Sequence, residues 1–286
     1  MRYAGNKRLI LNADDFGLHA SINEAVEKAH VLGVLTSASL VPNGDCFHGA
    51  VEIAKRNSRL GIGIHITLVG EKPVSPRDSV ASILVKDGML LPGYAALLGR
   101  LMRGEARPEH ITAECEAQVL KFIGAGLVPT HADSHQHLHL FAPIMKAIDP
   151  VLRKYGVRKV RSLNVPWSDF RKADMARVAF SLYNKCGNRL MRYGYKSPDR
   201  FFGFFKSGGT DVRYVREVLS ALKPGVTEIA LHPGMDNDAI RKKYGFWRKR
   251  TGWGYDWYSE YGLLVDPGIR GIIDSHGIKL INYGEI

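Results

Sequence analysis

Short apolar runs alternate with helical patterns along most of the chain. The runs are bounded by turn residues, as buried strands are, and between them apolar positions recur every three to four residues, as on one face of a helix. The pattern predicts strands over Arg8–Ala13, Thr36–Val41, Gly61–Leu68, Pro129–Ala132, Lys159–Leu163, Phe201–Phe205, Glu228–Leu231 and Ile278–Ile281. It predicts helices over Ser21–Leu32, Asp45–Lys55, Pro108–Ile123, Ala142–Tyr155, Lys172–Met191, Val212–Leu222 and Pro267–Ser275.

This alternation predicts an α/β fold with a parallel sheet, and eight strands favour a single (β/α) barrel, TIM-like and distorted, over an open sheet. Two stretches interrupt the rhythm: Val69–Arg107 has little strand signal, and Met235–Tyr261 is an aromatic, basic stretch predicted as a loop. Both follow predicted strands, on the face where barrels carry their functional loops. Ser21, with Glu24 three residues later, indicates a capping box at a helix start. With no linker or repeat, residues 1–286 are predicted to form one domain with elaborated loops at its C-terminal face.

Composition places the chain among ordinary globular proteins, because 45% of its 286 residues are hydrophobic and 24% are charged. The three cysteines are widely spaced, which argues against a disulfide framework and favours a reducing compartment. No apolar run approaches the ~20 residues of a membrane span, and the N-terminus lacks the apolar core of a signal peptide. The predicted location is therefore the cytoplasm.

The net charge of +12 is concentrated in the C-terminal half. Residues Ile240–Arg250 hold six basic side chains and no acidic one, with aromatic residues between them. Such a segment fits an anionic membrane surface, contacted peripherally from the inner face, or a solvated surface without a partner. A nucleic-acid partner is not predicted, because no RNA- or DNA-binding motif accompanies the charge.

Four histidines and Asp133 are concentrated within the stretch 130–139, directly after a predicted strand. Packing alone explains such a cluster poorly, because each buried imidazole needs a hydrogen-bond partner. Neutral imidazole is the commonest protein metal ligand, so a metal site is favoured over a surface cluster. The histidines are His131, His135, His137 and His139.

Further candidates follow other predicted strands. Asp14 and Asp15 are adjacent carboxylates after the first predicted strand. A turn would explain one aspartate. Two adjacent carboxylates would repel each other unless a cation or a proton gave them different roles. His65 ends the third strand, and His232 ends the seventh; each alone is more often structural. Because the carboxyl ends of parallel barrel strands open on one face, all these side chains are predicted to converge there.

The motifs NADDFG, GIHITL, THADSHQHLH and ALHPG occur here in that order, and the chain from Arg8 to about Tyr283 resembles the YdjC-type carbohydrate deacetylases, a group that includes chitooligosaccharide and hopanoid-associated deacetylases. The resemblance implies a distorted TIM-like barrel and a metal held by Asp15, His65 and His135. It also implies that Asp14 is the catalytic base and His232 the catalytic acid. Gln136 departs from the pattern, since relatives often have histidine there.

The leading hypothesis is a metal-dependent hydrolase that removes the N-acetyl group from an N-acetylated amino sugar, with one divalent ion, Mg or Zn. The alternatives are another metal-dependent amidohydrolase or a phosphoesterase on the same barrel, or a basic binding module without catalysis. The basic segment favours a lipid-linked amino sugar, such as a hopanoid-type glycolipid, over a soluble chitooligosaccharide. A homodimer is an open alternative. We expect His131, His137 and His139 to support the metal ligands or line the pocket.

Overall fold

The computed structural model describes residues 6–167, 169, 194–251 and 255–286, with the backbone alone for 245–251. The strands are β1 (Lys7–Phe16), β2 (Ser37–Leu40), β3 (Gly61–Ile66), β4 (Ala132–Ser134), β5 (Arg200–Phe202), β6 (Gly225–Leu231) and β7 (Lys279–Leu280). The α-helices are α1 (Ala20–Leu32), α2 (Phe47–Arg56), α3 (Tyr94–Met102), α4 (Pro108–Gly124), α5 (Ala142–Lys154), α6 (Val212–Ser220), α7 (Asn237–Thr251), α8 (Trp257–Val265) and α9 (Pro267–Ser275). Short 3₁₀ turns cover Arg77–Ile83, His135–Leu140 and Tyr283–Glu285.

The strands form one parallel sheet in the order β4-β3-β2-β1-β6-β5, and β7 pairs with the start of β1. The α/β class with a parallel sheet is thus confirmed, and the six-strand path is consistent with a distorted barrel. The predicted strand Lys159–Leu163 makes isolated bridges instead: Val160 pairs with Ala132, and Lys159 pairs with Lys196. Because these bridges are isolated and do not form a continuous hydrogen-bond ladder, the stretch is not a regular strand.

Strand β1 lies at the centre of the sheet and is the main organiser of the core. Its residues Leu9, Ile10 and Leu11 are at most 1% exposed, as expected where helices cover both faces of a parallel sheet. Its register places Asn12 opposite Ser37 of β2 and Ala230 of β6. The carboxyl end of β1 therefore lies between the carboxyl ends of two neighbouring strands.

The start of helix α1 differs from the prediction. The N-cap is His19, whose Nδ1 accepts a hydrogen bond from the backbone N–H of Ser21, so the expected capping box from Ser21 to Glu24 is wrong. The Ser21 hydroxyl is used elsewhere, because Oγ accepts from the backbone N–H groups of Met235 and Asp236. This contact fastens the segment after β6 to α1.

Both stretches that interrupt the predicted alternation of strands and helices contain helices. Helix α3 lies in the first, and α7 and the start of α8 lie in the second. Their glycines and aromatic residues obscure the helical period, which is why the pattern did not predict them. The predicted helix Lys172–Met191 lies outside the described residues. Within the described part of the chain, no helix combines the length and apolarity needed to cross a membrane.

Candidate metal centre and active site

An irregularity at the end of β1 brings both aspartates to one pocket. The pairing with β2 shifts register between Ala13 and Phe16, and Asp15 has a left-handed backbone with φ of 64°. In a regular strand, adjacent side chains face opposite sides of the sheet. Here the left-handed residue interrupts that alternation, so Asp14 and Asp15 both line the same pocket. The two residues belong to β1 itself rather than to a turn after it.

The three predicted metal ligands lie together, since one donor atom from each of Asp15, His65 and His135 falls within 4.8 Å of the others. Nδ1 of His135 is 3.0 Å from Oδ1 of Asp15, and Nε2 of His65 is 3.5 Å from the same oxygen. Nδ1 of His65 is hydrogen-bonded to Asp133, at 2.8 Å. A carboxylate on one imidazole nitrogen orients the other toward a metal, as in many metal sites.

A second group is formed by Asp14, His65 and Asp133, in which one donor atom from each residue also lies within 4.8 Å of the others. Its two carboxylates are already paired with the guanidinium of Arg161. In this second group, Nδ1 of His65 is already hydrogen-bonded to Asp133. The first group is therefore the better candidate for a cation.

Arg161 is a functional residue that the sequence analysis missed. Its side chain is 0% exposed, and it donates to both oxygens of Asp14, at 2.6 and 2.7 Å, and to Glu228 at 2.9 Å. Burial would raise the pKa of Asp14, but the charge and hydrogen bonds of Arg161 lower it below its ordinary value. Asp14 is thereby ionised and held in one orientation. An arginine inside the predicted strand Lys159–Leu163 was the available signal, because an unpaired buried arginine is costly.

His232 follows β6 and lies beside a buried carboxylate that the sequence analysis also missed. Nδ1 of His232 is 3.8 Å from Oε2 of Glu260, an ion-pair distance rather than a hydrogen bond. Oε2 also accepts from the backbone N–H of His232. Burial alone would lower the pKa of His232, but Glu260 together with Asp14 and Asp15 raises it to about 9. The imidazole is therefore protonated at neutral pH.

Two of the clustered histidines have structural roles. His131 stacks on Tyr283 with ring centroids 3.7 Å apart, and Nε2 of His131 lies 3.2 Å from the Ser39 hydroxyl. His139 contacts the Ser134 hydroxyl through Nδ1 and the backbone carbonyl of Arg161 through Nε2. Burial lowers the pKa of His131 to about 3 and that of His139 to about 4, so both rings are neutral.

The pocket that holds the two aspartates and His232 also contains His135 and His137 of the cluster. Its walls come from loops after several strands and from α7, mostly as apolar and aromatic side chains: Leu18, Ile22, Val41, Tyr94, Ile240, Tyr244, Tyr255 and Trp257. Gln136 also lines it, and its Oε1 accepts from the backbone N–H of Tyr94 at the start of α3. Arg241 adds a charged group, and Glu71 adds a carboxyl group whose pKa burial raises to about 7. The pocket thus joins a polar reaction centre to an apolar chamber.

Comparison with known proteins places this chain in a family. The family model described as YdjC-like protein matches residues 8–275. A carbohydrate deacetylase of Brevibacillus brevis is 30% identical over 98% of this chain and 99% of its own, and one of Mus musculus is 35% identical over 98% and 94%. A crystal structure of an Enterococcus faecalis protein proposed to cleave cellobiose phosphate superposes with a TM-score of 0.77 at 25% identity, covering 98% of both chains. The chain therefore belongs to the YdjC-like protein family, whose curated relatives here are carbohydrate deacetylases.

Proposed function

We propose that this protein is a divalent-metal-dependent hydrolase that removes the N-acetyl group from an N-acetylated amino sugar. One observation carries the proposal: a metal-ligand set, an ionised carboxylate and a protonated imidazole line the same pocket. The ligand set is Asp15, His65 and His135; the carboxylate is Asp14, and the imidazole is His232. The carbohydrate deacetylases among its relatives support an acetylated sugar as the substrate class.

The residues present fit a divalent ion. Two imidazoles and one carboxylate leave coordination positions open, as catalytic rather than structural sites do, and Mg or Zn accepts such donors. Asp133 on His65 supplies the orienting contact that ligating histidines usually have. Asp15, His65 and His135 would hold the ion, and the chemistry it would supply there is polarisation of the acetamide carbonyl and a more acidic water molecule.

Asp14 and His232 divide the proton transfers. Asp14, ionised beside Arg161, takes a proton from the water that attacks the carbonyl carbon. His232, protonated through its proximity to Glu260, gives a proton to the nitrogen when the C–N bond breaks. The amine is too basic to leave without that proton. The products are acetate and the free amino sugar. The water that attacks the carbonyl carbon supplies the oxygen that acetate gains.

The proposed function is tested by measuring acetate release from N-acetylglucosamine, chitooligosaccharides and N-acetylated glycolipids, with the metal content determined on the same preparation. We expect metal-dependent acetate release from at least one of these sugars and no phosphate release from aryl phosphate esters. Phosphate release without acetate release would overturn the proposal in favour of a phosphoesterase. Absence of both activities in the metal-loaded protein would favour a binding module.

We further propose a lipid-linked amino sugar as substrate, reached by peripheral contact at the inner face of the membrane. Two features support this: the apolar part of the pocket, and the exposed side chains of Lys242 and Lys243 on α7. Of the two lysines, Lys243 forms an ion pair with Asp45. Co-sedimentation with anionic and neutral vesicles tests it. We expect binding to anionic vesicles at low salt and faster turnover of the glycolipid. Lack of vesicle binding, with rapid turnover of chitobiose, would favour a soluble chitooligosaccharide.

For the fold, we propose that the stretch 158–164 closes the sheet into a complete TIM-like barrel.

A further inference from the structure

The backbone directly after the ligand His135 adopts an unusual conformation. Gln136 and His137 both have left-handed dihedral angles, with φ of 55° and 52°. Non-glycine residues rarely adopt this region, and two in succession persist only where the surroundings hold them. The kink places the His137 ring against Phe201 and Phe204, with centroids 5.9 and 5.5 Å away.

The two ring nitrogens of His137 have different surroundings. Nδ1 is buried and has no hydrogen-bond partner among the residues the structure describes. Because His137 lines the pocket and Nδ1 is enclosed, Nε2 is the nitrogen on the pocket side. Within the same described residues, Nε2 makes no hydrogen bond either. Neither of the structural histidines of the cluster, His131 and His139, has an unpartnered nitrogen.

The environment of His137 determines where its proton lies. A buried N–H without an acceptor is rarer and costlier than a buried acceptor without a donor, so Nδ1 carries the lone pair. Nε2 therefore carries the hydrogen, and this N–H is available to donate a hydrogen bond into the pocket.

We propose that His137 is a catalytic residue whose Nε2–H donates a hydrogen bond to a substrate oxygen beside the scissile amide, either the acyl oxygen or a hydroxyl of the same sugar. The inference rests on the proposed deacetylation. His137 follows the ligand His135 by two positions, so its side chain shares the pocket with the reaction centre. A donor fixed in place toward an oxygen that gains negative charge stabilises the transition state without reorganisation.

The test compares His137→Phe, which keeps a flat ring against Phe201 and Phe204 but has no donor, with His137→Asn, which retains a donor. His48→Phe, an exposed residue of α2, controls for the exchange itself. Bound metal, kcat and KM are measured for each protein, together with the inhibition constant of the product acetate. Metal content reports whether the fold and the ligand set are intact.

We expect His137→Phe to retain its metal and to lose about 10²–10³ in kcat if the acyl oxygen is the acceptor, with weaker inhibition by acetate. If a sugar hydroxyl is the acceptor, KM rises instead and acetate inhibition is unchanged. His137→Asn should recover part of either loss. Wild-type kinetics in His137→Phe, or loss of its metal with no rescue in His137→Asn, would overturn the inference. If the wild type itself released no acetate from any sugar, the proposed function would fail, and acetate affinity would still report on His137.

Discussion

The two neighbouring aspartates at the end of β1 differ in what their carboxylates contact. Asp14 is bound by Arg161, whereas Asp15 faces His65 and His135. We predict that Asp15→Asn loses both metal and turnover, while Asp14→Asn keeps the metal and loses about 10²–10⁴ in kcat. Asparagine is chosen because it tolerates the left-handed backbone of Asp15. Metal analysis and acetate release on the same samples check this, and near-wild-type release by either variant would refute the division of roles.

His232 and Glu260 give a prediction for the pH dependence. The raised pKa of His232, about 9, means that the protonated acid is present below that pH and is lost as the pH rises through it. We expect kcat to fall above about pH 9 and the alkaline limb to move to lower pH in Glu260→Gln, because the charge that favours the imidazolium is removed. A pH–rate profile of both proteins measures this. An alkaline limb at the same pH in both would contradict the role of Glu260.

Two histidines of the cluster should respond differently to truncation. His135→Ala should release the metal, since His135 faces Asp15. His139→Ala should keep the metal but lower the free energy of unfolding by about 1–3 kcal/mol, because the Arg161 carbonyl loses its donor and the Ser134 hydroxyl keeps only the backbone N–H of residue 139. Urea denaturation with metal analysis separates the two effects. Loss of metal in His139→Ala but not in His135→Ala would show that His139, rather than His135, is the metal ligand.

The convergence of Asp15, His65 and His135 was predicted from the sequence, whereas the contacts of Arg161 and Glu260 with the site were not. Asp15 and His65 lie near the carboxyl ends of β1 and β3, and His135 follows β4. Because the ends of parallel strands meet at one edge of the sheet, their convergence could be predicted. Arg161 and Glu260 matter because of what they touch, over 147 and 28 positions of chain respectively. Spacing along the sequence does not carry that information.

Among the elements, strands with continuous apolar runs were predicted well. Strands β1, β2, β3 and β6 are buried along nearly their whole length, and β1, β3 and β6 each contain a short apolar run. Helices α3 and α7 were missed. The sequence of α7 mixes charged and aromatic residues without a clear apolar face, and its position depends on tertiary contacts such as Tyr244 to the Leu18 carbonyl.

The contact between α1 and the segment after β6 gives a prediction for stability. The Ser21 hydroxyl accepts from two backbone N–H groups, those of Met235 and Asp236. Ser21→Ala should therefore lower the free energy of unfolding by about 1 kcal/mol, because the Asp236 N–H loses its acceptor, whereas the Met235 N–H keeps the Ser21 backbone carbonyl as an acceptor. Ser275→Ala, an exposed hydroxyl on its own helix, should stay within about 0.5 kcal/mol of the wild type. Equal effects of the two exchanges in urea would contradict the fastening role of Ser21.

At the scale of the whole molecule, the interior polar cluster links the metal centre to stability. The ionised carboxylates of Asp14 and Asp133 flank the single guanidinium of Arg161, so negative charge exceeds positive charge there. Glu228 adds a third carboxyl group, whose pKa burial raises to about 7. A divalent ion should offset that excess. At a metal concentration of about 100 times Kd, we expect stabilisation of about 2.7 kcal/mol, seen as a higher Tm that EDTA reverses. Asp15→Asn, whose Tm should not respond to metal, is the matched control.

The central claim, that metal bound by Asp15, His65 and His135 enables deacetylation, is tested most directly by reconstitution. Metal is removed by chelation and returned in steps, and acetate release from the preferred N-acetylated sugar is measured against metal bound per chain. The account predicts no release without metal and a linear rise that ends at one ion per chain, absent in His65→Ala. Full-rate acetate release by the metal-free protein, or an unchanged response in His65→Ala, would contradict it.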